Sequence, residues 1–261
     1  RQLRETGPNA PPSRQEFERI SMEQVVTNST PDYRFNIPWQ VNAGLLLGTI
    51  CVAFSMSLLL RRKFFVGGVL FVLAALIGAF RIMIFLITDP KRRRAACNRM
   101  VNSIQWTGAE QVLDVGCGNG LVLFAAAKRL KDGVGKAVGI DIWMEMAGRQ
   151  NAETLMRNAE IEGVANRVEL READAHQLPF SDASFDVVFA SLSLHHAGDK
   201  TTRRQVVSEM KRVLKPGGTI VIYDLFAITS SVAQVLRELG MNNIQHLNTS
   251  LLRILRALDT V

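Results

Sequence analysis

Residues Val112–Gly120 read VLDVGCGNG, placing three glycines within five residues directly after an apolar run. Such a turn belongs between a strand and a helix, and the chain continues the pattern on both sides. From Ala95 onward, strand-like stretches (QVLDVG, AVGID, VELREAD, FDVVFAS, TIVIYDL) alternate with helix-like ones (LVLFAAAKRL, MEMAGRQNAETLMRNAEI, TTRRQVVSEMKRVL, SVAQVLREL). Two further strands are expected around 244–248 and 252–258. Strands alternating with helices build a doubly wound, mainly parallel sheet, so the expected fold class is α/β with seven strands.

What precedes this pattern is different in kind. Val41–Leu60, VNAGLLLGTICVAFSMSLLL, carries no charge, and after Arg61–Lys63 a second run, FFVGGVLFVLAALIGAF, is extended past Arg81 by IMIFLIT. Each is about the 20 residues that a bilayer core requires of a helix. A buried hairpin in a water-soluble domain would need protein on every side, and too little chain remains to supply it. The expectation is a transmembrane hairpin over 39–88, with helices at about 41–60 and 64–87. Arg81, near the end of the second run, is tolerated in such a span if its side chain snorkels to the interface. Residues 1–38 are polar, hold Pro8, Pro11, Pro12, Pro31 and Pro38, and read as a mostly disordered arm. Residues 89–107 form a basic juxtamembrane linker and helix, and 108–261 the α/β domain. The sequence does not begin with Met, so the true N-terminus is expected upstream.

The net charge of +7 raises the question of nucleic acid. Residues 1–100 carry 14 Lys/Arg against 6 Asp/Glu, and the remainder 17 against 18. The basic excess thus belongs to the membrane-proximal part, and no nucleic-acid partner is expected for the domain. Lys91, Arg92, Arg93, Arg94 and Arg99 after the second run, with Arg34 before the first, place both ends of the hairpin and the domain on the cytoplasmic side. Cys51, Cys97 and Cys117 lack CxxC spacing, and with four scattered histidines no metal site is expected.

The glycine loop alone is weakly diagnostic, because any strand–turn–helix of this kind offers backbone N–H groups to an anion. The dinucleotide fingerprint G-x-G-x-x-G is not met, since Leu121 stands at its last position. The spacing present, from Asp114 through Gly116, Gly118 and Gly120, resembles motif I of the class I S-adenosylmethionine-dependent methyltransferases with a type 11-like domain. GIDIW, READAHQLPFSDASFDVVFASLSLHH and RVLKPGGTIVIYDL are similar to that family's later segments and follow in the same order. The resemblance implies a Rossmann-like methyltransferase sheet with S-adenosylmethionine as cofactor. It places Asp114 near the ammonium of the methionine part and Gly116, Cys117, Gly118 and Gly120 against that part through backbone. Asp141 would hold the ribose and Ile142 the adenine face, with Asp174 and the Ala175 backbone at the adenine edge. Ser191 would lie near the methionine part, and Trp143, Met144 and Met146, after the second strand, read either as adenine-pocket lining or as packing at the start of a helix.

Methyl transfer from a sulfonium is an in-line displacement, so the protein mainly aligns two reactants and excludes water. A base is required only where the acceptor loses a proton. His195 and His196, after the fourth strand, are the catalytic candidates, and Tyr223 and Asp224 are candidates for substrate contact. Lys215–Gly218 reads as a structural turn. The function expected is methylation of a lipid or other hydrophobic small-molecule acceptor by a bilayer-anchored enzyme. Methylation of a membrane-associated protein and a non-catalytic membrane scaffold are the alternatives. The intact Asp114, Gly116, Gly118, Asp141 and Asp174 count against the scaffold.

Overall fold

The computed structural model describes residues 48, 50–52, 54, 56, 64–142, 152–247 and 252–259. Helix α1 covers Phe64–Thr88. Asp89 then caps helix α2, Pro90–Asn102, by accepting the Lys91 N–H at 3.2 Å, with Pro90 in the first turn. Within α1, side chains are described for 67–69 and 71–80. Val69, Phe71, Val72, Leu73, Leu76, Ile77 and Phe80 are exposed, whereas Ala74 is buried. Among the described residues no helix is long and apolar enough to cross a membrane. The first expected span is described at residues 48, 50–52, 54 and 56 only, all helical. A Cβ on Gly48 would lie 3.2 Å from Ile77 Cγ2, so the two apolar stretches touch. The arm 1–38 lies outside the described residues.

The domain is a seven-stranded sheet ordered β3-β2-β1-β4-β5-β7-β6. Its strands are β1 Gln111–Val115, β2 Lys136–Asp141, β3 Val168–Glu172, β4 Phe185–Ser191, β5 Leu214–Leu225, β6 Asn243–His246 and β7 Leu252–Leu258. The first five run parallel, and β7 is antiparallel to both β5 and β6. The central strands are apolar on both faces because both are covered. Val112 and Phe189 face a core completed by α2 and helix α3, Leu121–Ala127; Leu113 and Val188 face one completed by α5, Lys200–Val213, and α6, Phe226–Glu238.

Two sequence boundaries shift, and a third falls at the edge of the described residues. The helix expected from Met144 is described as α4, Ala152–Ile161, and 143–151, including Trp143, Met144 and Met146, lie outside the described residues. Strand β5 starts at Leu214 rather than Thr219. Its pairing with β4 jumps from Phe185–Leu214 to Val187–Thr219, so Lys215–Gly218 loops out of the ladder. The domain core also extends N-terminally past 108, because Ala96, Cys97, Met100 and Val101 of α2 are buried in it. Their spacing of three and four residues puts them on one helical face.

Candidate active site

β1 lies between β2 on one side and β4 on the other, and its helix-bound turn opens at the C-terminal edge, where such sheets hold ligands. Asp114, one residue from the end of β1, is only 1% exposed. Its Oδ1 has no hydrogen-bond partner. Burial pushes its carboxyl up to about 7; the Leu123 N–H pulls it down, and the nearby Asp141 charge adds to the rise. A buried carboxyl with a vacant oxygen fits a donor that the protein itself does not provide.

The glycines of the loop differ in what surrounds them. Gly116 has φ +69° and a Cβ there would fall 2.5 Å from Ser193 Cβ, so the turn after β4 presses directly on the loop. Gly118, at φ +54°, would meet nothing within 4 Å. Its N–H donates to Asp141 Oδ2 at 2.9 Å, which ties the end of β2 to the loop. The Gly116 and Cys117 N–H groups are both spent on the Ile140 carbonyl, each at 2.9 Å.

The Cys117 side chain is buried away from solvent. Its sulfur lies under the sheet, 2.9 Å from where a Gly139 Cβ would be, and burial pushes the thiol well above its ordinary range. Cys117 thus shares the loop with its glycine neighbours while its side chain joins the core. Gly120 caps α3 in the left-handed region. Ile142 is 42% exposed beyond β2. Asp174, with its side chain 66% exposed, accepts the His176 N–H at 2.9 Å and meets His176 Nδ1 at 2.6 Å; these bonds hold its carboxyl below the usual range. Ala175 beside it is half-buried.

Ser191 ends β4 opposite Tyr223. The residue that touches the loop is instead Ser193, whose hydroxyl donates to the Val115 carbonyl at 2.8 Å. Tyr223 is buried, and burial raises its hydroxyl pKa while Arg93 and Arg92 lower it. Arg93 comes from α2. Its Nη2 lies 3.4 Å from Asn119 Oδ1 in the glycine loop, and burial lowers its pKa. Read as one of a surface basic cluster, Arg93 in fact turns inward while Lys91, Arg92 and Arg94 remain exposed. The signal was present: 93 precedes 96 and 97 by three and four residues, on the buried face.

His195 and Asp224 meet across 29 positions of sequence. Asp224, 0% exposed, accepts the Leu225 N–H at 2.8 Å and the His195 N–H at 3.3 Å, and its Oδ1 lies 3.0 Å from His195 Nδ1. The His195 side chain is 27% exposed and packs on the exposed His196 at 4.0 Å between ring centres. The turn that carries both is pinned by Arg203, which donates to the Leu194 and Gly198 carbonyls, and by the Leu192 N–H on the Tyr223 carbonyl at 2.7 Å. Asp224 was expected to contact substrate; in the free protein it meets the His195 ring.

A family model described as a methyltransferase domain matches residues 113–222. The chain is 33% identical over 150 residues to a 27-O-demethylrifamycin SV methyltransferase of Amycolatopsis mediterranei, covering 55% of this chain and 50% of that one. It is 29% identical over 145 residues to a chloroplastic 2-phytyl-1,4-beta-naphthoquinone methyltransferase of Arabidopsis thaliana, covering 54% and 53%. The chain thus spans about half the length of these curated relatives. A SAM-dependent methyltransferase structure from Aquifex aeolicus superposes with a TM-score of 0.54 at 21% identity, over 66% of this chain and 94% of that one, a likeness of fold.

Proposed function

We propose that this S-adenosylmethionine-dependent methyltransferase is held on the cytoplasmic face of a membrane by the 39–88 hairpin and methylates a lipid or other hydrophobic small molecule. The observation that carries the reading is the junction at Asp89. The apolar helix α1, with large side chains exposed along it, is followed without a linker by α2, and the first turn of α2 sends Arg93 to the glycine loop. A cofactor site so close to an apolar helix favours an acceptor that dissolves in the same phase. Lys91, Arg92 and Arg94, exposed on α2, fit anionic headgroups, at about 1 kcal/mol each. The named relatives that act on a rifamycin and on a phytylated naphthoquinone support a small-molecule acceptor.

The cofactor fits the residues present. The vacant buried Oδ1 of Asp114 suits the ammonium of its methionine part, and the open face of Gly118 lets that part lie against backbone. Asp141 takes the ribose hydroxyls, and Ile142, Asp174 and Ala175 surround the adenine. Once bound, the cofactor supplies an electrophilic methyl group on a cationic sulfur. The chain aligns and encloses: Arg93 and Asn119 close the loop from the α2 side, and the Ser193 turn closes it from β4.

Membranes containing the full chain, incubated with cofactor labelled in the methyl group, test this. Label should appear in the lipid extract. Label in the protein pellet would favour a membrane-protein substrate, and no transfer despite cofactor binding would favour the scaffold.

A further inference from the structure

We infer that Arg253, stacked on Phe226 at the corner between β7 and α6, holds an oxyanion of the methyl acceptor, a carboxylate or a phosphate, and that this acid stands apart from the atom that is methylated. This deepens the proposed function and rests on it.

β7 runs against β5, so its first residues lie at the C-terminal edge of the parallel strands, the edge that carries the glycine loop. Arg253 is there directly opposite Asp224, yet it makes no ion pair with that or any other carboxylate among the described residues. Asp224 is engaged by the Leu225 and His195 N–H groups instead. The Nε of Arg253 is buried without a hydrogen-bond partner, and its Cζ lies 3.9 Å from the centre of the Phe226 ring. An aromatic face attracts the cation but accepts none of the N–H groups in the guanidinium plane. Covering a guanidinium without oxygens to receive those groups is unfavourable, and an oxyanion offering two parallel acceptors completes it.

The surroundings favour negative charge. Phe226 is 44% exposed and opens the first turn of α6, which holds no acidic residue and has no side-chain cap. His246 pairs with Leu255, two residues from Arg253, and so shares its sheet face. Burial and then the Arg253 and Arg237 charges lower the pKa of His246. Glu238, beside Arg237, is taken by Arg204.

Position separates the acid from the transfer. The methyl group passes between the glycine loop after β1 and the Ser193 turn after β4, which press on each other at Gly116. β7 lies two strands beyond β4, about 10 Å along the sheet at the usual strand spacing. An acid seated on Arg253 is therefore not the methylated group, and the product keeps its negative charge. Such an acceptor is an acidic amphiphile.

The test uses the full chain in membranes with cofactor labelled in the methyl group. Labelled product in the lipid extract should be retained by an anion exchanger at neutral pH and keep its label through mild alkali. With that extract as acceptor, Arg253→Met, whose stem still covers Phe226, should raise KM about tenfold or more while kcat and cofactor affinity stay within about threefold. Arg253→Lys should fall between that variant and wild type. A second measurement needs no turnover. The 15N-arginine-labelled chain in nanodiscs of neutral phosphatidylcholine is titrated with dodecyl phosphate, laurate and dodecanol. The signal that is lost in Arg253→Met should move with an anion and not with dodecanol, and the anion acting at the lower concentration tells a phosphate from a carboxylate. A product that is not retained, label released by mild alkali, an unchanged KM in Arg253→Met, or an Arg253 signal blind to both anions would each overturn the inference. If no label reaches the lipid extract, the proposed function fails, and the titration still decides on Arg253.

Discussion

Asp114 and Asp224 each stand one residue from the C-terminal end of a parallel strand, β1 and β5, and each is closed off from solvent. They differ in what meets them. Asp224 is surrounded by donors from its own chain, two backbone N–H groups and an imidazole, whereas Asp114 keeps one oxygen with nothing to accept. Burying a polar atom without a partner is unfavourable, so a protein retains such an atom where a ligand completes it. On the proposed reading, the carboxyl on the acceptor side of this site is finished in the free protein, and the one on the donor side is left for the cofactor to finish.

The largest effect that would break this contrast is on stability. Asp224→Ala removes the acceptor for the Leu225 and His195 N–H groups and should cost about 2–4 kcal/mol in urea unfolding. Asp114→Asn, which trades a strained carboxyl for a neutral group of the same shape, should be neutral or slightly stabilising in the cofactor-free protein. Equal losses in the two variants would mean that the vacancy at Oδ1 has no energetic meaning.

On cofactor affinity the order reverses. Asp114→Asn should weaken S-adenosylmethionine binding by about 2–3 kcal/mol, the range for a hydrogen bond to a charged group. Asp224→Asn should leave that affinity within a factor of two, and calorimetry reads both. Next in size is Asp141→Ala, which frees the Gly118 N–H as well as removing a ligand contact and should weaken binding by about 1.5–3 kcal/mol. Unchanged affinity there would remove Asp141 from the ribose role. Smaller still, Arg93→Met should lower cofactor affinity about threefold, and an unaltered value would show that α2 only covers the loop.

The alternating pattern of the sequence carries the sheet, its order of elements and the two aspartates at β1 and β2, because those signals are local. Contacts between distant positions were harder to read. Nothing in LSLHH or in YDL says that His195 and Asp224 meet, since that depends on β4 and β5 lying side by side with Ser191 opposite Tyr223. Ser193 was overlooked for Ser191 because the turn at Leu192, with φ +52°, carries the chain back onto Gly116. Arg93 was hidden by its basic neighbours, which share its composition but not its helical face. Cys117 shows the converse: membership of a ligand loop says nothing about where the side chain goes.

The contrast between the two aspartates is tested most directly by proton-linked cofactor binding. In the free protein the Asp114 carboxyl has been raised from 3.8 to about 7, so between those values the folded state holds more protons than the unfolded one and stability declines as pH rises. A cationic ammonium at Oδ1 needs the ionised form. Binding below about pH 7 must therefore expel a proton, and affinity should climb up to tenfold per unit towards pH 7 and level off above it. Titration calorimetry at pH 6, 7 and 8, in two buffers of different ionisation enthalpy, should show that rise with up to one proton released at pH 6, and Asp114→Asn should abolish both. Affinity and heat that are independent of pH and buffer in the wild-type protein would contradict the assignment of Asp114 to the cofactor.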